Sequence, residues 1–428
     1  MTATMIKQHT MKVFFRRIHL YLSFAAGLVI LIACLTGALL VFEKDIMMAA
    51  NKDRYYVEAG ARRLPAADLV LRVKDAFPGA KVTGFRAYSA ADRSAEISIT
   101  PAKKNDGKGK DAAAAVTETG KEKGAGKPGE KGKGKEAKAP ERQPGFTVFV
   151  NPYTGAILEK YSYRESNFYT IFALHRWLLG GEGSVGKYIV GVSTFLFLFI
   201  LLTGIVLWWP KTRKVLQQRL TVKWGASWKR LNHDLHIVLG FYSAIFLFIM
   251  AFTGLAWSFE WFNKSIYTVT GSPMKNPEPP KSAWVADAKP ATFDAVLAAA
   301  QALRPGADFY NVQAPKDSVA PYTVQLLGKD VPHESATDAL YFDQYSAAPL
   351  GDLTWQERSL GARVRGTFKP VHTGSIGGMP TKILAFIVCL LGITFPITGT
   401  IMWWNRTRKR RKDGKKVLMT EEFEAELV

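Results

Sequence analysis

Four stretches of the chain are apolar for long enough to cross a bilayer, and the first pair and the last pair each flank a longer segment with short alternating runs. The third, His233 to Trp261 (HDLHIVLGFYSAIFLFIMAFTGLAWSFEW), carries no charge between Leu235 and Phe259. A hydrocarbon core about 30 Å thick needs roughly 20 helical residues, so this stretch predicts a transmembrane helix. One of its faces, His236, Gly240, Ser243, Ala244, Ala251 and Gly254, is small apart from the histidine and leaves room for a close partner or a flat ligand. The opposite face is Leu, Ile and Phe, as lipid requires.

The same pattern occurs earlier. His19 to Glu43 matches His236 to Glu260 at a constant offset of 217, pairing Thr36-Gly37 with Thr253-Gly254. The second and fourth apolar stretches repeat as well. His175 and His372 are each followed five residues later by Gly-Gly, then by a span containing Thr-Gly (Thr203-Gly204, Thr398-Gly399) and ending Trp-Trp (Trp208-Trp209, Trp403-Trp404). Two halves of this kind place shared sites on a pseudo-symmetry axis.

The intervening segments resemble each other too. Each begins with a helical pattern, Ala66–Phe77 and Phe293–Leu303, closed by Pro-Gly at Pro78-Gly79 and Pro305-Gly306. Short alternating strands follow at Glu96–Thr100, Thr147–Asn151 and Ala156–Tyr161 in the first, and at Tyr322–Leu327 and Ala339–Asp343 in the second. Asn151–Gly155 and Asp343–Ala347 read as equivalent turns, the first with the better turn chemistry. The first segment is interrupted from about Ala102 to Arg142 by Gly, Lys, Ala and Glu without an apolar pattern, which predicts a disordered loop.

Charge then orients the spans. The 428 residues carry a net charge of +21. Lys and Arg gather at Lys12, Arg16 and Arg17, between Lys211 and Arg230, and from Arg406 to Lys416, which makes those three regions cytoplasmic and the two segments periplasmic. The first span is too long for a signal-peptide core and lacks a small-x-small cleavage site, so it is expected to remain as a helix. The two cysteines, Cys34 and Cys389, lie inside apolar spans and read as small core residues.

Four of the seven histidines occupy repeat-equivalent places: His19 and His236 toward the cytoplasmic ends of spans one and three, His175 and His372 toward the outer ends of spans two and four. Histidine at an apolar span is costly and marks a site, and neutral imidazole is an axial ligand of haem iron. One pair per membrane face predicts two haem sites, against the plainer reading of four interfacial histidines satisfied by head groups or backbone. His233, one turn before His236, is an alternate ligand. His9 and His333 lack repeat equivalents and are expected to face solvent. Arg176, Trp177, Arg365 and Lys369 lie at the outer level, where they could meet haem propionates or an anionic substrate. No Ser-His-Asp set, paired carboxylates in a span or zinc spacing points to hydrolysis.

The duplicated architecture, the Asn151–Gly155 and Asp343–Ala347 turns, and the H-x4-GG…TG…WW pattern resemble the PepSY-associated transmembrane proteins over nearly the whole chain outside the insertion. The fold class so predicted is a membrane all-α bundle of four transmembrane helices in two pseudo-symmetric repeats, with two small α+β PepSY-like periplasmic modules. Its boundaries are span one 1–43, module one 44–165 with the insertion at 102–142, an outer helix and span two 166–210, and a cytoplasmic loop 211–232. Span three 233–261, module two 262–365, span four 366–405 and a basic tail 406–428 complete it.

The resemblance further implies a bacterial inner-membrane, di-haem b-type oxidoreductase that reduces ferric siderophores or similar iron chelates in the periplasm, with membrane lipids around it and no nucleic acid. Some members of that family carry a cytoplasmic flavodoxin or ferredoxin-reductase extension. Here only 24 residues follow Trp404, without a Gly-rich dinucleotide fingerprint, so the electron donor expected is a cytoplasmic-side partner or a quinol. The alternatives are an electron relay to a periplasmic redox protein, and a haem-free membrane anchor whose modules bind a peptidase.

Overall fold

The computed structural model describes residues 3–101 and 145–426, with side chains within 11–101 and 145–408. The expected disordered insertion lies outside the described residues. In chain order, α1 (Ala3–Val41) leads through α2 (Glu43–Ala50) and α3 (Lys52–Tyr55) to α4 (Ala66–Ala76). Strands β1 (Lys81–Tyr88), β2 (Ala95–Thr100), β3 (Phe146–Val150) and β4 (Ile157–Tyr161) come next, then α5 (Asn167–Trp177), α6 (Val185–Trp208) and α7 (Arg213–Leu220). After α8 (Trp228–Asp234) a π-helical turn, Leu235–Leu239, joins α9 (Gly240–Ser258) and α10 (Glu260–Val269). The remainder is α11 (Phe293–Leu303), β5 (Phe309–Gln313), β6 (Tyr322–Leu326), β7 (Asp338–Phe342), β8 (Pro349–Leu353), α12 (Leu360–His372) and α13 (Met379–Glu426), the last continuing through the basic tail.

Among the described residues four helical stretches are long and apolar enough to cross a membrane: Met11–Val41, Val185–Trp208, Trp228–Ser258 and Met379–Arg408. They pack around a core that includes Ile30, Cys34, Phe197, Leu247, Ala251 and Val388. Both cysteines are buried and unbridged there, as small core residues.

The other half of the fold corrects an expectation. The two intervening segments do not form two separate sheets; their strands make one antiparallel sheet in the order β4-β3-β2-β1-β5-β6-β7-β8. The seam is the β1–β5 pairing, with Phe85 opposite Val312 and Arg86 opposite Asn311. Neither strand was legible beforehand, nor was β8. Joining them removes two exposed strand edges from the middle of the structure, edges that would otherwise invite aggregation.

One helix from each segment packs on the sheet. Leu69, Val70 and Val73 of α4 recur at helical spacing against Ile97, Val148 and Val150, while Val296 and Ala300 of α11 lie against Tyr310, Val312 and Val324. Phe293 and Leu297 belong to both clusters, so the two cores are continuous. Asp294 also ties them: its carboxylate accepts the backbone N–H groups of Ala66 (2.6 Å) and Ala67 (2.8 Å) at the start of α4, a cap supplied from another helix.

The expected turns match atom for atom. Asn151 Oδ1 accepts from the N–H groups of Tyr153 and Thr154, and Asp343 Oδ1 from those of Tyr345 and Ser346. Each turn ends in the left-handed region, at Gly155 (φ +75°) and Ala347 (φ +57°), where only the glycine is free of Cβ strain.

His333 is a second correction. It does not face solvent but is 6% exposed, its ring 4.9 Å from that of Trp355 and its Nδ1 accepting from Ser335 N–H. The adjoining Glu334 accepts from the Ser375 hydroxyl (2.8 Å) and lies 3.9 Å from Lys44, both at the sheet-side ends of membrane helices. His333 is thus buried beside Trp355, next to the Glu334 that joins sheet and bundle.

Candidate functional site

The four repeat-equivalent histidines meet as two pairs. His19 of α1 and His236 of the π-helical turn have ring centres 6.5 Å apart, and His175 of α5 and His372 of α12 have theirs 6.2 Å apart. Each pair takes one member from each half of the chain. Thr36, beside His175, is 17 residues after His19 on α1, so the pairs lie about 26 Å apart along that helix at 1.5 Å per residue.

The Thr-Gly dipeptides hold the rings. Nδ1 of His19 lies 3.1 Å from Thr203 Oγ1 and 3.0 Å from the Ile200 carbonyl; Nδ1 of His175 lies 3.0 Å from Thr36 Oγ1 and 3.1 Å from the Ala33 carbonyl. His372 repeats this with Thr253 (3.2 Å) and Met250 O (2.8 Å), and His236 with Thr398 Oγ1 (2.8 Å). Each threonine donates its own proton to the carbonyl four residues back, Ile32, Phe199, Ile249 or Thr394. Its oxygen is therefore left to accept. Carbonyls also only accept, so Nδ1 carries the proton in every ring and Nε2 keeps the lone pair.

The glycine of each dipeptide provides the floor. A methyl group at Gly37, Gly204, Gly254 or Gly399 would stand 3.4, 3.4, 3.2 and 3.3 Å from Cε1 of His175, His19, His372 and His236 respectively. Gly399→Val is accordingly expected to displace His236 and cost that pair its ligand, although removing a helical glycine ordinarily favours the helix by a few tenths of a kcal/mol. Thermal unfolding together with metal or cofactor content of the purified variant separates the two effects.

His233, the alternate ligand, does not join the pair. Its Nδ1 lies 3.3 Å from Asp234 Oδ1 and its side chain is 45% exposed. The π-helical turn beginning at Leu235 adds a residue to the helical circuit, a device common at functional sites, and it is His236 that faces His19.

Around the His19–His236 pair is a cavity of about 940 Å³, reached by Arg16, Arg219 and His233 at one end. Arg219 caps the end of α6 through the carbonyls of Leu207, Trp208 and Trp209. Around the His175–His372 pair, the four outer candidates separate. Arg176 donates to the Trp257 carbonyl (3.3 Å), Arg365 donates to Asn263 Oδ1 (2.6 Å) with its guanidinium 4.7 Å over the Trp257 ring, and Trp257 lies 5.5 Å from His372. Burial lowers the basicity of Arg176, opposed by Glu182 and reinforced by Arg365; burial does the same to Arg365, opposed by Tyr267. Lys369 is exposed. Its charge and a hydrogen bond from Tyr163 partly offset the burial that raises the Glu43 carboxyl. Trp177 is buried with its indole N–H unpartnered, beneath a reversal in which Leu178 and Leu179 both take positive φ.

The family model of the PepSY-associated TM region matches residues 16–406. The chain belongs to the PepSY-associated TM family. Among curated proteins, no sequence matches it. As a PepSY-associated TM protein it is a multi-pass membrane protein, and the matched region contains both histidine pairs and all four Thr-Gly cradles. The threonines and the π-helical turn are the functional features that sequence reasoning missed. The duplicated Thr-Gly served as a landmark, and its repetition at all four histidine-bearing helices was the signal available.

Proposed function

We propose that this PepSY-associated TM protein is a bacterial inner-membrane cytochrome with two haem b groups, one on His19 and His236 and one on His175 and His372. It carries electrons from the cytoplasmic side to the periplasmic face and there reduces ferric siderophores or similar chelates. In this reading the bundle is a two-fold repeat, the halves of the sheet are two fused PepSY modules on the periplasmic side, and both termini are cytoplasmic.

The observation that carries it is the opposed imidazole pairs. Two metal–imidazole bonds of about 2 Å and about 1 Å from each nitrogen to its ring centre give roughly 6 Å between centres, in line with 6.5 and 6.2 Å. Nδ1–H donated to threonine or carbonyl is the outer-shell arrangement that orients a ligating histidine and raises its basicity. No cluster of three or more His, Cys, Asp or Glu that could hold a bare ion occurs among the described residues, and a two-imidazole site suits a metal that brings its other ligands with it. The guanidiniums of Arg176 and Arg365, which both touch Trp257 next to His372, would supply donors for carboxylates beside the outer pair. A haem bound at each pair would supply one-electron transfer. The chain's own residues would fix the ring tautomers and hold Arg176 and Arg365 beside the outer pair, where in this reading an anionic chelate docks without crossing the bilayer.

Purified protein, chemically reduced under anaerobic conditions, is expected to be reoxidised by a ferric hydroxamate or catecholate chelate, with Fe(II) collected in a colorimetric trap. His372→Ala should slow this at least tenfold. Haems that stay reduced with every ferric chelate, yet are oxidised by a periplasmic redox protein, would favour the relay instead.

A further inference from the structure

The two rings of each histidine pair do not share a plane. His19 and His236 cross at 87°, and His175 and His372 at 67°. Each angle is set from outside the pair, because the plane of a ring anchored at Cβ is fixed once its Nδ1 has found an acceptor. The threonine that serves His19 is on α6 and that for His236 on α13; the one for His175 is on α1 and that for His372 on α9. Four cradles on four helices thus give four independent ring directions.

The cradles are not equal. Besides its threonine, Nδ1 of His19, His175 and His372 meets the carbonyl three residues earlier, that of Ile200, Ala33 and Met250 respectively. The corresponding carbonyl for His236 is that of Phe395, which accepts from the Thr398 hydroxyl instead (3.3 Å). Thr398 Oγ1, at 2.8 Å, is the one acceptor that His236 Nδ1 has among the described residues. The more strongly crossed pair therefore hangs on one side from a single hydroxyl.

With Nε2 of each ring on one iron, both planes contain the bond axis, and the angle between them is the twist about it. Each imidazole donates π density to the iron orbital perpendicular to its own plane. Parallel rings feed the same orbital and split it from its neighbour, whereas crossed rings feed both about equally. Near-equal orbitals make ferric iron strongly anisotropic in a magnetic field and stabilise it less, so a crossed centre is easier to reduce than a parallel one with the same ligands. We propose that the Thr-Gly cradles are positioning residues that hold both imidazole pairs crossed, and that Thr398 alone fixes the plane of His236. This rests on the two-haem reading above.

Electron paramagnetic resonance of the oxidised full chain tests this. Two low-spin ferric signals are expected, both ramp-shaped rather than rhombic with three resolved lines, and the inner pair at 87° should be more anisotropic than the outer pair at 67°. His19→Ala should remove the more anisotropic signal and His372→Ala the other. In the His372→Ala protein, Thr398→Val should turn the remaining ramp into a rhombic or broadened signal while the optical spectrum stays low-spin. Thr398→Ser keeps a hydroxyl and should preserve the ramp. Thr203→Val should preserve it too, because the Ile200 carbonyl still holds His19. Rhombic signals from the native protein, a Thr398→Val signal identical to the native one, or equal shifts in Thr398→Val and Thr203→Val would each overturn the proposal and leave the haem reading standing. A chain purified without any Soret band overturns both.

Discussion

If each pair holds a haem as proposed, alanine at His236 is expected to halve the haem content, from about two per chain to about one in a pyridine haemochromogen assay, because that site would lose one of its two imidazoles. His19→Ala should lose the same haem, and His175→Ala or His372→Ala the other. The effect is selective because each ring is held by a Thr-Gly cradle on a different helix, so emptying one pair leaves the opposite hydrogen bonds untouched. His233→Ala should retain both haems, since that ring is turned to Asp234. Thr398→Val keeps the ligand and removes only the acceptor for His236 Nδ1, so it should weaken the inner site by 10- to 100-fold, the range found for outer-shell partners. Two haems bound by His236→Ala, with one lost from His233→Ala, would reverse the assignment.

The second large effect is expected at the seam of the sheet. Val312 is fully buried on β5 opposite Phe85, in the core that α11 covers. Val312→Asp places an uncompensated carboxylate there, at a cost of several kcal/mol, comparable to the whole stability of a small domain. The sheet should become susceptible to limited proteolysis at 25 °C while the helices and both haems persist, because the histidine pairs and their cradles belong to the bundle. Loss of haem in parallel with cleavage would mean that the sheet and the bundle unfold as one unit.

The parts of this architecture that were legible are those written locally. Four spans announce themselves because hydrocarbon demands an unbroken apolar run, and the histidines stand out because such a run tolerates them only for a reason. The strands Ala95–Thr100 and Tyr322–Leu326 alternate cleanly, and they and Phe146–Val150 lie within a residue or two of expectation. In β1 (KVTGFRAY) a bulge between Val82 and Gly84 shifts the phase between Val82 and the buried Phe85 and Ala87, and β8 (PLGDL) is exposed along most of its length, so neither shows an unbroken period of two. Without β1 and β5 the seam could not be seen, and two modules were expected where one sheet exists. His333 was misread because its burial comes from Trp355, 22 residues away in sequence. The Thr-Gly cradles were in plain view as a repeat, but their task depends on which helices touch, and that is a property of packing.

The apolar layer between the histidine pairs, where Ile30, Cys34, Leu247, Ala251 and Val388 pack together, gives the proposed reaction an electrical character. The side chains of Ile30, Leu247, Ala251 and Val388 have no group that could pass a proton, so in the proposed reaction an electron would cross this layer unaccompanied. Each turnover would then move one negative charge from the cytoplasmic level toward the outside with no compensating proton. In a cell whose interior is negative, that displacement runs downhill by as much as about 2.3 kcal/mol for each 100 mV across the full membrane. Iron release at the periplasmic face would draw on the membrane potential directly and slow when the cell is depolarised, even with reductant in excess.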